Sequence, residues 1–282
     1  MIPSKYVSVD GVRTHYLEAG DAHRGVRPTV LLLHSAEFGG AAEVTWEFNI
    51  PALAQRYHVL APDHLGFGRT EKIFDFGNQF ERRIRHIRRF IETMDVGPVH
   101  VMGSSMSGGL SLTVAARARP DWPLVSLVCC SGGGDAPDNE ARKVLNSFDG
   151  TKEHMRRIVD VMFIDKKWPA DEAYIQRRFE LATLPGAWEA TAAARFKAPF
   201  RDAARNRAER DNIAYERIAV PTLVFAGRFD PLREPGYTDG FVPRIPKAQL
   251  HVFENAAHMG NIECAAEFNA RTLKFLADVD GA

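Results

Sequence analysis

The sequence predicts an α/β fold, a doubly wound and mostly parallel sheet with a helical insertion. Three observations carry this reading. Short, continuous apolar runs recur along the chain, helical patterns separate them, and the stretch from about Asp135 to Asn212 has helical periodicity but no strand-like run. Strands that alternate with helices imply right-handed βαβ crossovers.

The chain opens differently. Lys5 to Val9 alternates in the strand period, meets Asp10-Gly11, and resumes at Thr14 to Leu17, which predicts an antiparallel hairpin. Thr29 to Leu33 is then wholly apolar after its first residue, as expected of a strand covered on both faces. Similar runs follow at Tyr57–Ala61, Val99–Met102, Leu124–Cys130, Thr222–Ala226 and Leu250–Phe253. The clearest helix carries the stripe Phe80, Ile84, Ile87, Ile91 and Met94. Arg82, Arg83, Arg85, Arg88 and Arg89 surround it, and read as its solvated face rather than as a nucleic-acid patch. Residues 135–212 read as a helical cap, set into a core made of residues 1–134 and 213–282. A cap there would cover the sheet's C-terminal edge, where open α/β sheets bind ligands.

The strand Val99–Met102 runs into Gly103-Ser104-Ser105-Met106-Ser107-Gly108-Gly109 and then a helical segment. Strand, sharp turn and helix around a serine is the setting of a nucleophile elbow. Such a turn strains the nucleophile's backbone and needs small residues two places before and after it. Gly103 and Ser107 meet that need for Ser105, although glycine is usual at the second place. Ser104 fails because Met102 precedes it, and Ser107 falls inside the helix. A phosphate-binding loop is excluded because Gly109-Leu110 stands where lysine and a hydroxyl residue belong. Gly66-Phe67-Gly68 lacks the third glycine of a dinucleotide site, since Glu71 occupies it.

A serine hydroxyl needs a base to take its proton. In the order serine, acid, histidine, Asp230 follows the strand Thr222–Ala226 and His258 follows Leu250–Phe253, 28 residues later. One short helix and one strand would fill that interval. Asp135 is a second, lower-ranked acid. The oxyanion needs two backbone N–H donors. Met106, next after the nucleophile, supplies one, and Ala36 in the loop His34-Ser35-Ala36-Glu37 is the choice for the other. His34 and His64 read as loop-bracing residues.

Composition narrows the class. Thirty-six basic residues balance thirty-six acidic ones, so no net field draws the chain to nucleic acid or an anionic membrane, and a small-molecule substrate is expected. No apolar run approaches the roughly eighteen residues of a membrane span, and no signal peptide is expected. Cys129, Cys130 and Cys264 suggest neither a disulfide framework nor a metal site, but buried thiols in a reducing compartment, with the cytoplasm as default.

The oxyanion loop, the turn Asp63 to Gly68, the elbow, Gly227 to Asp230 and His258 to Phe268 resemble those of α/β-hydrolases along nearly the whole chain. The resemblance implies that fold, with an eight-stranded sheet. Within it, Ser105-Met106 before Gly108 and the stretches Phe163–Asp165 and Arg178–Glu180 are similar to the meta-cleavage-product hydrolases, which cut a carbon–carbon bond in ring-fission dienoates. This implies a Ser105–His258–Asp230 triad, no metal or organic cofactor, a homodimer, and Arg178 (or Arg177) on the substrate carboxylate. Ser35, Ser104 and Met259 then fall at substrate-binding positions. Ser104 replaces that family's asparagine, Met259 its tryptophan, and Glu37 stands in its glycine-rich loop. An esterase or lactonase on a small apolar acyl compound, or a slow-turnover ligand receptor, are the alternatives.

Overall fold

The computed structural model describes residues 2–193, 195–196 and 213–281. Its opening hairpin joins β1 (Ser4–Val9) to β2 (Val12–Ala19) through Asp10 and Gly11, both at positive φ, 49° and 83°. That geometry matches the twist of the paired strands. Next come β3 (Thr29–Leu33), β4 (Val59–Pro62), β5 (Val99–Ser104), β6 (Leu124–Cys130), β7 (Thr222–Gly227) and β8 (Ala248–Phe253), with two single-turn helices, α1 (Ala42–Thr45) and α2 (Ile50–Leu53), between β3 and β4. The eight strands lie in the order β1-β2-β4-β3-β5-β6-β7-β8, with β2 antiparallel to both its neighbours and the rest parallel. The chain steps outward from β3 to β4, then returns past β3 to β5. Its direction of winding therefore reverses between β3 and β5, and a crevice opens at their C-terminal ends.

Alternate residues of the parallel strands feed two cores. Leu31, Leu33, Val101 and Val224 pack with Ile84, Ile87 and Phe90 of α3 (Gln79–Met94) and Leu110 of α4 (Met106–Ala115). Val30, Leu32, Val128 and Phe225 pack with Trp46 and with Phe268, Phe275 and Leu276 of a C-terminal helix, Ala265–Asp280. Burial on both faces explains why these strands read as unbroken apolar runs. Adjacent Cys129 and Cys130 point to opposite cores, and burial pushes both thiols up to about 12.

Between β6 and β7 the regular elements among the described residues are all helical: α5 (Glu140–Asn146), α6 (Lys152–Met162), α7 (Lys167–Ala170), α8 (Glu172–Thr183), α9 (Ala187–Ala193) and a 3₁₀ turn, Tyr215–Arg217. Asn139, Thr151 and Asp171 cap α5, α6 and α8 through side-chain oxygens. These helices have their own apolar cluster, in which Met155, Phe163, Trp168 and Tyr174 meet Phe38, Leu232 and Met259 of the core loops. Residues 197–212 of the expected cap lie outside the described residues.

Two expectations fail. Arg83 is not on the solvated face of α3: it is buried, its guanidinium 5.1 Å from the Phe67 ring and donating to Gln79 Oε1 at 2.8 Å. The aromatic face and the amide replace the water it loses. The interval between Asp230 and His258 holds only a 3₁₀ turn, Val242–Arg244, before β8. Pro231, Pro235, Pro243 and Pro246 deny that segment the amide donors of a longer helix.

Candidate active site

Ser105 sits where β5 passes into α4, at φ 53° and ψ −113°, outside the regions open to ordinary L-residues. Its amide is held by the Cys130 carbonyl at 2.7 Å. The approach of α4 to β5 leaves no room at Gly103, where a Cβ would lie 2.5 Å from the Ser107 carbonyl carbon. Strain here is fixed by packing on both sides and aims the hydroxyl off the end of the sheet.

The structure brings the three separated residues together. His258 Nε2 lies 2.8 Å from Ser105 Oγ, and His258 Nδ1 lies 2.7 Å from Asp230 Oδ2. The Leu232 amide donates to the other carboxylate oxygen of Asp230 at 2.9 Å. Burial opposes the charged carboxylate, but the facing His258 ring and the Leu232 amide outweigh it and hold Asp230 below the usual range. Asp135, the lower-ranked acid, is exposed and has no such contact. An ionised carboxylate against Nδ1 keeps that nitrogen protonated and leaves Nε2 to accept from the serine.

Ser105 and His258 open onto a cavity of about 950 Å³, whose wall includes Ala36 and Met106. As the first residue of α4, Met106 has an amide with no intrahelical acceptor. The Ala36 carbonyl is braced by Arg195 Nη2 at 3.0 Å.

Sequence reasoning missed how this loop is fixed. Ser107, read only as a small residue, donates its hydroxyl to the His34 carbonyl at 2.5 Å and so accepts from His64 Nε2 at 2.7 Å. His34 Nε2 in turn accepts from the His64 amide at 2.9 Å, which leaves Nδ1 as donor to the Ser35 carbonyl at 2.6 Å. Burial keeps both imidazoles neutral, His64 well below its ordinary value. Both histidines therefore brace the loop. The hint was there: serine at a place where glycine is usual is a hydroxyl with a purpose.

Glu263 was missed as well. Its carboxylate accepts from the Ala257 amide at 2.7 Å and from the Ile164 and Asp165 amides at 2.7 and 3.1 Å, while the His258 amide donates to the Met162 carbonyl at 3.1 Å. The histidine loop is thus laced to the helical insertion.

The four expected substrate-binding residues are not on the cavity wall. Met259 is buried in the insertion's apolar cluster. Ser35 lies beside Thr45, Oγ to Oγ1 3.5 Å, and Ser104 is buried. Arg178 is fully buried and donates to Glu37 Oε1 at 2.7 Å, its guanidinium 4.9 Å from the Tyr174 ring. Burial opposes the Glu37 charge, yet Arg178 and Ser35 hold its carboxyl below the ordinary range. The carboxylate that Arg178 meets is therefore the chain's own. Its rival Arg177 is half-exposed and paired with Glu47 at 2.8 Å. The arginines that do line the cavity are Arg142, Arg195, Arg233 and Arg244.

Comparison with known proteins adds to this geometry. The family described as alpha/beta hydrolase fold matches residues 28–265. The 2-hydroxy-6-oxo-6-(2'-aminophenyl)hexa-2,4-dienoic acid hydrolase of Metapseudomonas resinovorans is 31% identical over 97% of this chain and 90% of its own. A 2-hydroxymuconate semialdehyde hydrolase from a Pseudomonas species is 28% identical over 96% of this chain and 93% of its own. Among solved structures, a meta-cleavage product hydrolase from Pseudomonas fluorescens superposes with a TM-score of 0.84 at 26% identity, covering 98% of each chain.

Proposed function

For a chain that belongs to the alpha/beta hydrolase fold family, with hydrolases of ring-fission dienoates among its relatives, we propose hydrolysis of a carbon–carbon bond in a 2-hydroxy-6-oxo-dienoate-like substrate. The observation that carries the hydrolytic part is the contact chain from Ser105 through His258 to Asp230. The relatives' named substrates support the substrate class.

In this reading His258 takes the Ser105 proton as Oγ adds to the ketone carbon. The resulting oxyanion is met by the amides of Ala36 and Met106, and Asp230 stabilises the imidazolium. Collapse breaks the carbon–carbon bond. Its electron pair leaves with the dienoate fragment, which takes the proton back from His258. Water then adds to the acyl-serine, with His258 again as base, and releases the second acid. Residues 135–212 act as the cap over a core of residues 1–134 and 213–282, supported by the helices that separate β6 from β7.

One observation favours a second reading, an esterase or lactonase on a neutral acyl compound: Glu37 has taken Arg178, the residue the resemblance assigns to the carboxylate. A cytoplasmic setting is supported by the buried, protonated thiols of Cys129 and Cys130. Among the described residues no helix is long and apolar enough to cross a membrane. A homodimer rests on the resemblance alone.

The test is to incubate the protein with a chromophoric ring-fission dienoate and with short nitrophenyl esters, beside Ser105→Ala. The expected result is rapid loss of the dienoate chromophore that Ser105→Ala abolishes. Fast ester cleavage without dienoate turnover would replace the first reading with the second.

A further inference from the structure

With Arg178 closed off, the cavity's other arginines stand out. Arg142 reaches the wall from α5, and its Nε is buried without a partner. Among the described residues its guanidinium has no hydrogen bond and no carboxylate within ion-pair distance. Asp135 and Glu234 also line the cavity, but both are exposed and neither pairs with it. On its flanks, Arg195 donates to three neutral oxygens, of Asn146, Thr191 and Ala36, at 2.8 to 3.0 Å. Arg233 donates from Nε and Nη2 to one carbonyl, that of Ser131, at 2.9 and 2.6 Å. Burial, with repulsion from a neighbouring arginine, lowers Arg142 and takes Arg195 down to about 10, against the opposing pull of Asp230 on the first and Glu37 on the second. A half-buried guanidinium with an unmet N–H, beside two others, is costly unless an anion arrives to satisfy it.

We propose that Arg142, flanked by Arg195 and Arg233, forms the anion subsite of this cavity and takes the substrate's carboxylate in place of Arg178. The planar fork of an arginine offers a carboxylate two parallel N–H donors. The proposal deepens the reading of the cavity as a dienoate site and rests on it. It also resolves the conflict posed by Glu37: an acid substrate remains compatible with an Arg178 that is already paired.

Two ligands of one shape separate charge from fit: sorbate, a six-carbon dienoate, and its neutral alcohol 2,4-hexadien-1-ol. Both are titrated calorimetrically into the wild-type protein, Arg142→Gln and Arg142→Lys. Sorbate is expected to bind the wild type more tightly than the alcohol. Arg142→Gln should weaken sorbate by about tenfold or more while the alcohol shifts by less than about twofold, and Arg142→Lys should fall between because it keeps charge but loses the fork. Equal weakening of both ligands, an unchanged sorbate affinity, or no preference in the wild type would overturn the subsite. If Arg142→Gln does not fold, Arg142→Met, which keeps the apolar stem, replaces it. Dienoate turnover separates the two claims. Sorbate binding through Arg142 without dienoate turnover ends the carbon–carbon reading and leaves the subsite standing. Turnover with an unchanged KM in Arg142→Gln does the reverse.

Discussion

Ser107 Oγ lies 2.5 Å from the His34 carbonyl oxygen, a single hydrogen bond that joins the first turn of the helix behind the nucleophile to the loop carrying Ala36. The two proposed oxyanion donors follow β3 and β5, which pair directly as far as Leu33 and Gly103, and this hydroxyl ties the two segments together just beyond the last pair. Ser107→Ala should therefore lower kcat on a nitrophenyl ester by about tenfold with little change in KM, since displaced donors act on the transition state. It should also cost about 1–2 kcal/mol of stability by orphaning the buried His64 Nε2–H. Urea unfolding and steady-state rates check both, and an unaltered kcat would show that the loop is held by other means.

Glu37 and Arg178 form a buried pair, and removing one partner strands the other. Glu37→Gln should destabilise the protein by about 3–5 kcal/mol, whereas Glu37→Gln combined with Arg178→Met should regain most of that. Comparison of urea midpoints decides. Equal losses in single and double variants would mean that the pair is not acting as a unit.

Glu263 is a positioning residue for His258. Glu263→Ala releases three amides, one of them adjacent to the histidine, so kcat should fall by about tenfold or more. Glu263→Gln keeps one accepting oxygen and should recover part of the rate. A purely structural role would lower the melting temperature of both variants while leaving kcat intact.

Acid should weaken the fold before it titrates the carboxylates. Burial lowers His34 and His64, and pushes His86 down to about 4, so all three are neutral in the folded state. Their unfolded counterparts protonate near pH 6.5, so between that pH and the folded values the unfolded chain binds more protons. Stability is thus full above about pH 6.5 and falls as pH drops, by about 1.4 kcal/mol per pH unit for each imidazole. His86 alone should account for about 3 kcal/mol by pH 4. Urea midpoints measured between pH 7.5 and 4.5 should show this slope, and His86→Gln should flatten it.

Much of this was legible in the chain. The parallel strands announced themselves because both faces are covered, and the elbow did so because Gly103 and Ser105 are dictated by backbone geometry. Asp230 and His258 could be chosen because their strands end at one edge of the sheet. Side-chain partnerships were not legible. Nothing in the order of residues says that Glu37 and Arg178, 141 positions apart, will meet, nor that Arg83 will turn inward onto Phe67. Periodicity assigns a face, and a long cation can leave it when an aromatic ring or an amide replaces its water.

The neighbouring arginines of α8 bind two different loops of the core by unlike means. Arg177 meets Glu47 at the surface, whereas Arg178 meets Glu37 in the interior. Dissolved salt screens the first and leaves the second almost untouched. A rising ionic strength therefore weakens only the outer of these two ties, while the inner pair and the buried Tyr174, Ile175 and Leu181 keep α8 seated on the core.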